Sequence, residues 1–194
     1  MRRNRLFAIL LPASLLIGFL GLGSSSLTGC GNGTGGTGSS GDCFDYTSFD
    51  GKTPAVTFKT DVLPIFRQSC GLSTSCHGDP NGGSLPGQHY YGPATKDPAP
   101  TAAQLQVIFD ASVGKPSSGN PDMDVIKASD PAHSFMMYKL DGDPLAANGV
   151  TCETLTCSKG KDGCLLAMPS GGPQLPQATR DTIRRWIAQG AKND

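Results

Sequence analysis

The chain has 194 residues with 16 Lys/Arg against 16 Asp/Glu, so its formal charge is zero and no basic stripe offers a footprint for nucleic acid. Aromatic residues make up only 7%, while 26 glycines and 15 prolines call for long loops between few helices. No nucleophile–base motif and no phosphate-binding glycine loop occurs, which leaves nothing to read as a hydrolase or a transferase.

In chain order, Arg2, Arg3 and Arg5 form a positive region ahead of an apolar stretch, Leu6 to Leu22, interrupted by Pro12. Small residues then lead to Leu27-Thr28-Gly29-Cys30. This order reads as an export signal over residues 1–29, and its end resembles the lipobox of bacterial lipoproteins. The resemblance implies cleavage before Cys30 and diacylation of its thiol. An uncleaved membrane anchor is the alternative, since a run of this length nearly spans a bilayer. Without the three leader arginines, 13 basic residues face 16 acidic ones. Either reading places the rest of the chain outside the cytoplasm, at the cell envelope, where disulfides persist. Gly31 follows Cys30, so the aspartate that retains some lipoproteins at the inner membrane is absent. That favours an outer-membrane-facing position.

Residues 30–56 read as a tether and lead-in. Its first thirteen residues, rich in Gly, Ser and Thr, have a reach of roughly 20 Å. Residues 57–194 form one domain. Val62, Ile65 and Phe66 are spaced i, i+3, i+4, with Thr60 or Asp61 as cap and Pro64 tolerable only in a first turn, which predicts a helix running into Cys70. Gly/Pro-rich chain follows to Pro100, with Asn81-Gly82-Gly83 as a turn signal. Thr101-Ala102-Ala103-Gln104 is a capping box before an apolar face of Leu105, Ile108 and Phe109. Asp130-Pro131 starts a third helix with Phe135, Met136, Met137, Tyr138 and Leu140 as its apolar content. Asp141-Gly142-Asp143 is a turn after it, lacking the distant acidic ligand of a calcium loop. Pro176 to Gln189 is the last helix, with Ile183, Trp186 and Ile187 inside, Arg180, Arg184 and Arg185 outside and Gly190 as the stop. The expectation is all-α: about four helices joined by long loops.

The stretch with chemistry in it is Cys70-Gly71-Leu72-Ser73-Thr74-Ser75-Cys76-His77. Two thiols that add across vinyl groups and an imidazole that binds iron are the parts of a covalent haem site. The spacer has five residues where two are usual. Loop-closure entropy grows slowly, so three more residues cost under about 1 kcal/mol. Gly71, Ser73, Thr74 and Ser75 are small enough to bulge outward. The alternative is a Cys70–Cys76 disulfide with His77 merely exposed.

Three groups of residues, in order, resemble small bacterial cytochrome c domains, including those of planctomycete type. They are Asp61-Val62-Leu63-Pro64-Ile65-Phe66 leading to Cys70 and Cys76-His77-Gly78; Asp130-Pro131-Ala132-His133-Ser134 with Met136-Met137-Tyr138-Lys139-Leu140; and Met168-Pro169, Leu175 and Ile183-Arg184-Arg185-Trp186-Ile187. The resemblance covers roughly residues 57–191. It implies a cytochrome c-like fold whose first and last helices cross, one haem c held by Cys70 and Cys76, His77 as proximal ligand and Met168 as distal ligand. Two departures stand out: the long spacer and a cysteine-rich insertion before Met168.

Met168 precedes proline, which biases it to the extended backbone of a loop. Met136 and Met137 belong to a helical core, Met123 to a polar loop, and His89 and His133 are competing ligands. Cys43, Cys152, Cys157 and Cys164 remain, an even number that allows two disulfides in three connectivities, Cys157–Cys164 with Cys43–Cys152 being one. Without haem, all six non-lipid cysteines could pair. Their spacing matches no strong zinc pattern.

The functional expectation is a membrane-tethered monohaem cytochrome passing single electrons to redox partners of the envelope, with no substrate transformation of its own. Two alternatives stay open. One is a haem-free, disulfide-stapled envelope lipoprotein. The other is an open iron, without Met168, for peroxidase or gas-sensing chemistry.

Overall fold

The computed structural model of the protein describes residues 44–81, 88–141, 167–170 and 172–194. The leader, the tether up to residue 43, Cys30, Cys43, Cys152, Cys157 and Cys164 lie outside the described residues. Among the described residues the chain is all-α. It has four α-helices, α1 (Leu63–Ser69), α2 (Ala102–Ser112), α3 (Phe135–Asp141) and α4 (Gln177–Ala188), with no strand beyond two isolated bridges. No helix among these residues is long and apolar enough to cross a membrane.

The first helical segment begins at Phe58, ahead of Thr60 and Asp61. A π-helical turn, Phe58–Val62, runs directly into α1. Pro64 explains the wide turn: it has no N–H for the Thr60 carbonyl, and in α-helical register its ring would strike that carbonyl. Asp61 does not cap from in front but reaches back, accepting the Thr57 N–H (2.8 Å) and hydroxyl (3.1 Å). Asp194 accepts the next two N–H groups, Phe58 through its side chain (2.8 Å) and Lys59 through its backbone (3.1 Å). A carboxylate there also complements the positive end of the helix.

The capping box of α2 forms as read, with Thr101 Oγ1 accepting the Gln104 N–H and Gln104 Oε1 accepting the Thr101 N–H. Asp130 and Pro131 make only a 3-10 turn, Pro131–His133, and α3 begins at Phe135. Ser134 interrupts them in extended conformation, its hydroxyl donating to the Asp130 carbonyl (2.9 Å). The first N–H groups of α3 then go to the Asp124 and Val125 carbonyls (both 2.9 Å), so backbone rather than a side chain caps that helix.

The core is aromatic. Trp186 of α4 lies between Phe58 of the π-turn (5.3 Å between ring centroids) and Phe66 of α1 (6.2 Å), with Phe109 of α2 closing the group at 4.8 Å from Phe58. All but Phe109 are essentially fully buried. Met136 and Met137 are buried in the same core, as their helical spacing required.

One expectation for α4 is corrected. Arg184, read as an outward residue, is completely buried. The lead-in covers that side of the helix: the Arg184 guanidinium carbon sits 3.5 Å from the Phe44 ring centroid and 5.6 Å from the rings of Tyr46 and Phe49. Its charge is met by Asp141, through Nη2 to both carboxylate oxygens (2.6 and 2.7 Å), and by Asp181. The Tyr46 hydroxyl donates to the Pro131 carbonyl (3.3 Å), and burial pushes its pKa up to about 12 against the pull of Arg184. Residues 44–56 are thus part of the folded body, helped by Gln189. Its amide accepts the Val56 N–H (2.8 Å) and donates to the carbonyls of Gly51, Lys52 and Pro54.

Arg184→Ala leaves Asp141 half-paired and removes the seat of Phe44, so a loss of about 3 kcal/mol is expected in urea denaturation. The neighbouring Arg185→Ala should cost under about 1 kcal/mol. Equal small losses for both would contradict the buried pairing.

Candidate functional site

Helix α1 delivers Cys70 to the start of the loop. The Phe66 carbonyl accepts both the Cys70 and Gly71 N–H groups (2.8 Å each), so the helix stops at the first cysteine. Gly71 lies against the Gly92 backbone so closely that a Cβ would stand 2.1 Å from the Gly92 oxygen. No other residue type fits. Gly92 itself has φ of +110°, the left-handed region that glycine enters without strain.

The spacer folds outward on itself. The Ser73 carbonyl accepts the N–H groups of Cys76 (3.1 Å) and Gly78 (3.0 Å), and the His77 N–H returns to the Cys70 carbonyl (3.0 Å). Leu72, Ser73, Thr74 and Ser75 are exposed, whereas Cys70, Cys76 and His77 are half-buried. Both thiols are free. Burial, and secondarily the neighbouring Cys76, push the Cys70 thiol up to about 12, so it is a neutral S–H at any ordinary pH.

Residues 88–91 run alongside and fix the imidazole. Gln88 donates its side-chain amide to the Cys76 carbonyl and to the Ser75 carbonyl (3.1 Å), and the Tyr91 N–H donates to the His77 carbonyl (2.9 Å). His77 Nδ1 lies 2.7 Å from the His89 carbonyl oxygen. A carbonyl only accepts, so Nδ1 carries the proton and Nε2 keeps its lone pair. The Tyr91 ring packs on the imidazole at 4.8 Å and on Phe66 at 5.0 Å, joining the loop to the core. Burial holds the His77 pKa below its ordinary value; the His89 carbonyl opposes this and the Lys139 charge adds to it.

The other sulfur ligand candidate, Met168, donates its N–H to the Lys139 carbonyl (2.7 Å) at the end of α3, and its side chain packs against the core. Lys139 therefore borders both residues: its backbone holds Met168 and its ammonium is felt by His77. His89 is half-buried, and burial, with the neighbouring His77, holds its pKa below the ordinary value while the Ala111 backbone opposes this. His133 is exposed and paired with Asp130 at 2.8 Å. Met123 is half-buried in its loop.

The structure thus brings Cys70, Cys76 and His77 into one closed loop and ties Met168 to the neighbouring end of α3. Of the supports for His77, the sequence offers His89 only as a competing ligand, not for its carbonyl, and it does not single out Tyr91. The one available signal was Gly92, next to them in a Gly/Pro-rich run. Comparison with protein-family models, with curated proteins and with solved structures found no match to this chain.

Two outcomes follow from this geometry. Gly71→Ala must displace the Gly92 backbone, at an expected cost of about 2–3 kcal/mol and with faster exchange of the His77 and Tyr91 amides; an unchanged urea midpoint would show that the loop yields freely. Burial also lowers the pKa of both His77 and His89 from 6.5. The unfolded chain therefore takes up protons first as pH falls through that value, and stability declines below it while staying flat above. The urea midpoint should be lower at about pH 5.5 than at about pH 7.5, and the combined His77→Gln, His89→Gln substitution should flatten that difference.

Proposed function

We propose that this chain is a monohaem c-type cytochrome with a cytochrome c-like fold, lipid-anchored through Cys30 at the cell envelope and carrying single electrons between envelope redox proteins. The observation that carries the reading is the state of the loop donors. His77 presents an unprotonated Nε2 because Nδ1 is held by the His89 carbonyl, and it sits in a closed loop with two free thiols, of which Cys70 is held un-ionised by burial. Iron-binding imidazoles characteristically use their second nitrogen in this way, which fixes the ring and raises its basicity. The donor types suit haem c: Cys70 and Cys76 would be the thioether positions, and His77 and Met168 would bind the iron.

Bound there, a haem supplies a one-electron ferric–ferrous couple. The chain's own residues do the rest. The Cys70–His77 backbone closure brings the two ends of the loop together, and the extra spacer length is taken up by the exposed residues 72–75. Tyr91, itself packed on Phe66, covers part of the His77 ring. Met168, a thioether on a backbone pinned to α3, would favour the reduced state if it bound the iron and would leave no open coordination position for a substrate.

Expression of the full chain in a haem-competent host tests this. The intact mass should rise by one haem, with Cys70 and Cys76 both consumed and a reduced-minus-oxidised spectrum of low-spin type. His77→Ala should abolish that spectrum. Met168→Ala should keep the covalent haem but lose the weak far-red methionine–iron band of the ferric protein and lower the reduction potential. A mass showing only disulfides would instead support the haem-free lipoprotein. A wild-type protein with haem but no far-red band would support an open iron.

A further inference from the structure

We propose that Asp141 is the positioning residue for Met168. The inference rests on Met168 being an axial ligand, and deepens that reading.

Asp141 is the last described residue of α3, and the carbonyls of the turn before it bond to a returning segment. Met168 N–H donates to the Lys139 carbonyl (2.7 Å), and Gln174 Nε2 donates to the carbonyls of Leu140 (3.3 Å) and Asp141 (2.6 Å). Three successive carbonyls thus hold Met168 and Gln174 as a clasp. What fixes that row of carbonyls against α4 is the Asp141 side chain. It accepts Arg184 through both oxygens and Arg180 Nη1 at 2.6 Å, while Arg180 Nε bonds the Leu175 carbonyl at 3.0 Å. One carboxylate therefore ties the end of α3 to α4 and, through Arg180, to the far end of the Met168 segment.

Two guanidiniums hold the Asp141 carboxylate, one of them, Arg184, completely buried. Asp141 thus lies two residues from the Lys139 carbonyl that accepts the Met168 N–H.

The test uses the full haem-loaded chain with Asp141→Asn, which keeps shape and removes charge, and with Gln174→Ala, which opens the clasp but leaves the Arg184 pair intact. Both should retain the covalent haem and the low-spin His77 signature while the far-red methionine–iron band weakens and the reduction potential falls. Amide exchange at Met168 should accelerate about tenfold or more, with the Cys70 amide unchanged. If Asp141→Asn is too unstable to purify, Gln174→Ala decides. Unchanged band and Met168 exchange in the purified variants would overturn the proposal, as would equal acceleration at Met168 and Cys70, which signals global loosening. A wild-type chain that takes up no haem defeats the functional reading instead, and the exchange measurement on that chain still reports whether the clasp depends on Asp141.

Discussion

The bond from the His77 imidazole to the His89 carbonyl organises the site. It sets the tautomer, holds the ring against Tyr91 and makes residues 88–91 the wall on which the Cys70–His77 loop is built. Because Gly71 packs directly on Gly92, the loop cannot shift along that wall without a backbone clash. The unusual spacer is absorbed away from this contact, as an exposed fold of small residues plus Leu72. Its length therefore does not reach the imidazole.

A second constraint acts at α4. Arg184 is buried, and a buried guanidinium is tolerable only when its charge and hydrogen bonds are answered. Asp141, Asp181 and the faces of Phe44, Tyr46 and Phe49 answer it. That requirement brings together the lead-in, the end of α3 and the middle of α4. The Met168 segment hangs from the same junction. The two constraints meet in α3, whose Lys139 touches Met168 by backbone and His77 by charge.

Features set by local chemistry were legible in the sequence. The Thr101–Gln104 capping box, Pro64 in a first turn, Gly190 at φ of +104° after α4 and the buried faces of α2 and α4 all follow from near-neighbour rules. Arg184 was misread because helical periodicity knows only the helix's own faces. What covers that face is Phe44, 140 positions away in sequence, and an aromatic in a lead-in carries no signal of its destination. The onset of α3 was missed for a similar reason: its caps are carbonyls of residues 124 and 125, and backbone acceptors have no sequence signature. At the site, the three donors stood side by side and could be read. Their supports, His89 and Tyr91, lie more than ten residues on and act through a carbonyl and a ring face that any residue order could supply.

The way residues 44–56 lie on α4 has a mechanical consequence. Tension applied to the chain upstream of Phe44 would load the attachments in sequence, like a peeled strip. Phe44 on Arg184 comes first, then the Tyr46 hydroxyl, and then the Gln189 amide with its three carbonyls. The aromatic core and the Cys70–His77 loop bear load only after Val56 is released. Pulling from that side thus dissipates work in weak contacts at the rim, and the imidazole is shielded from strain by a sacrificial strap.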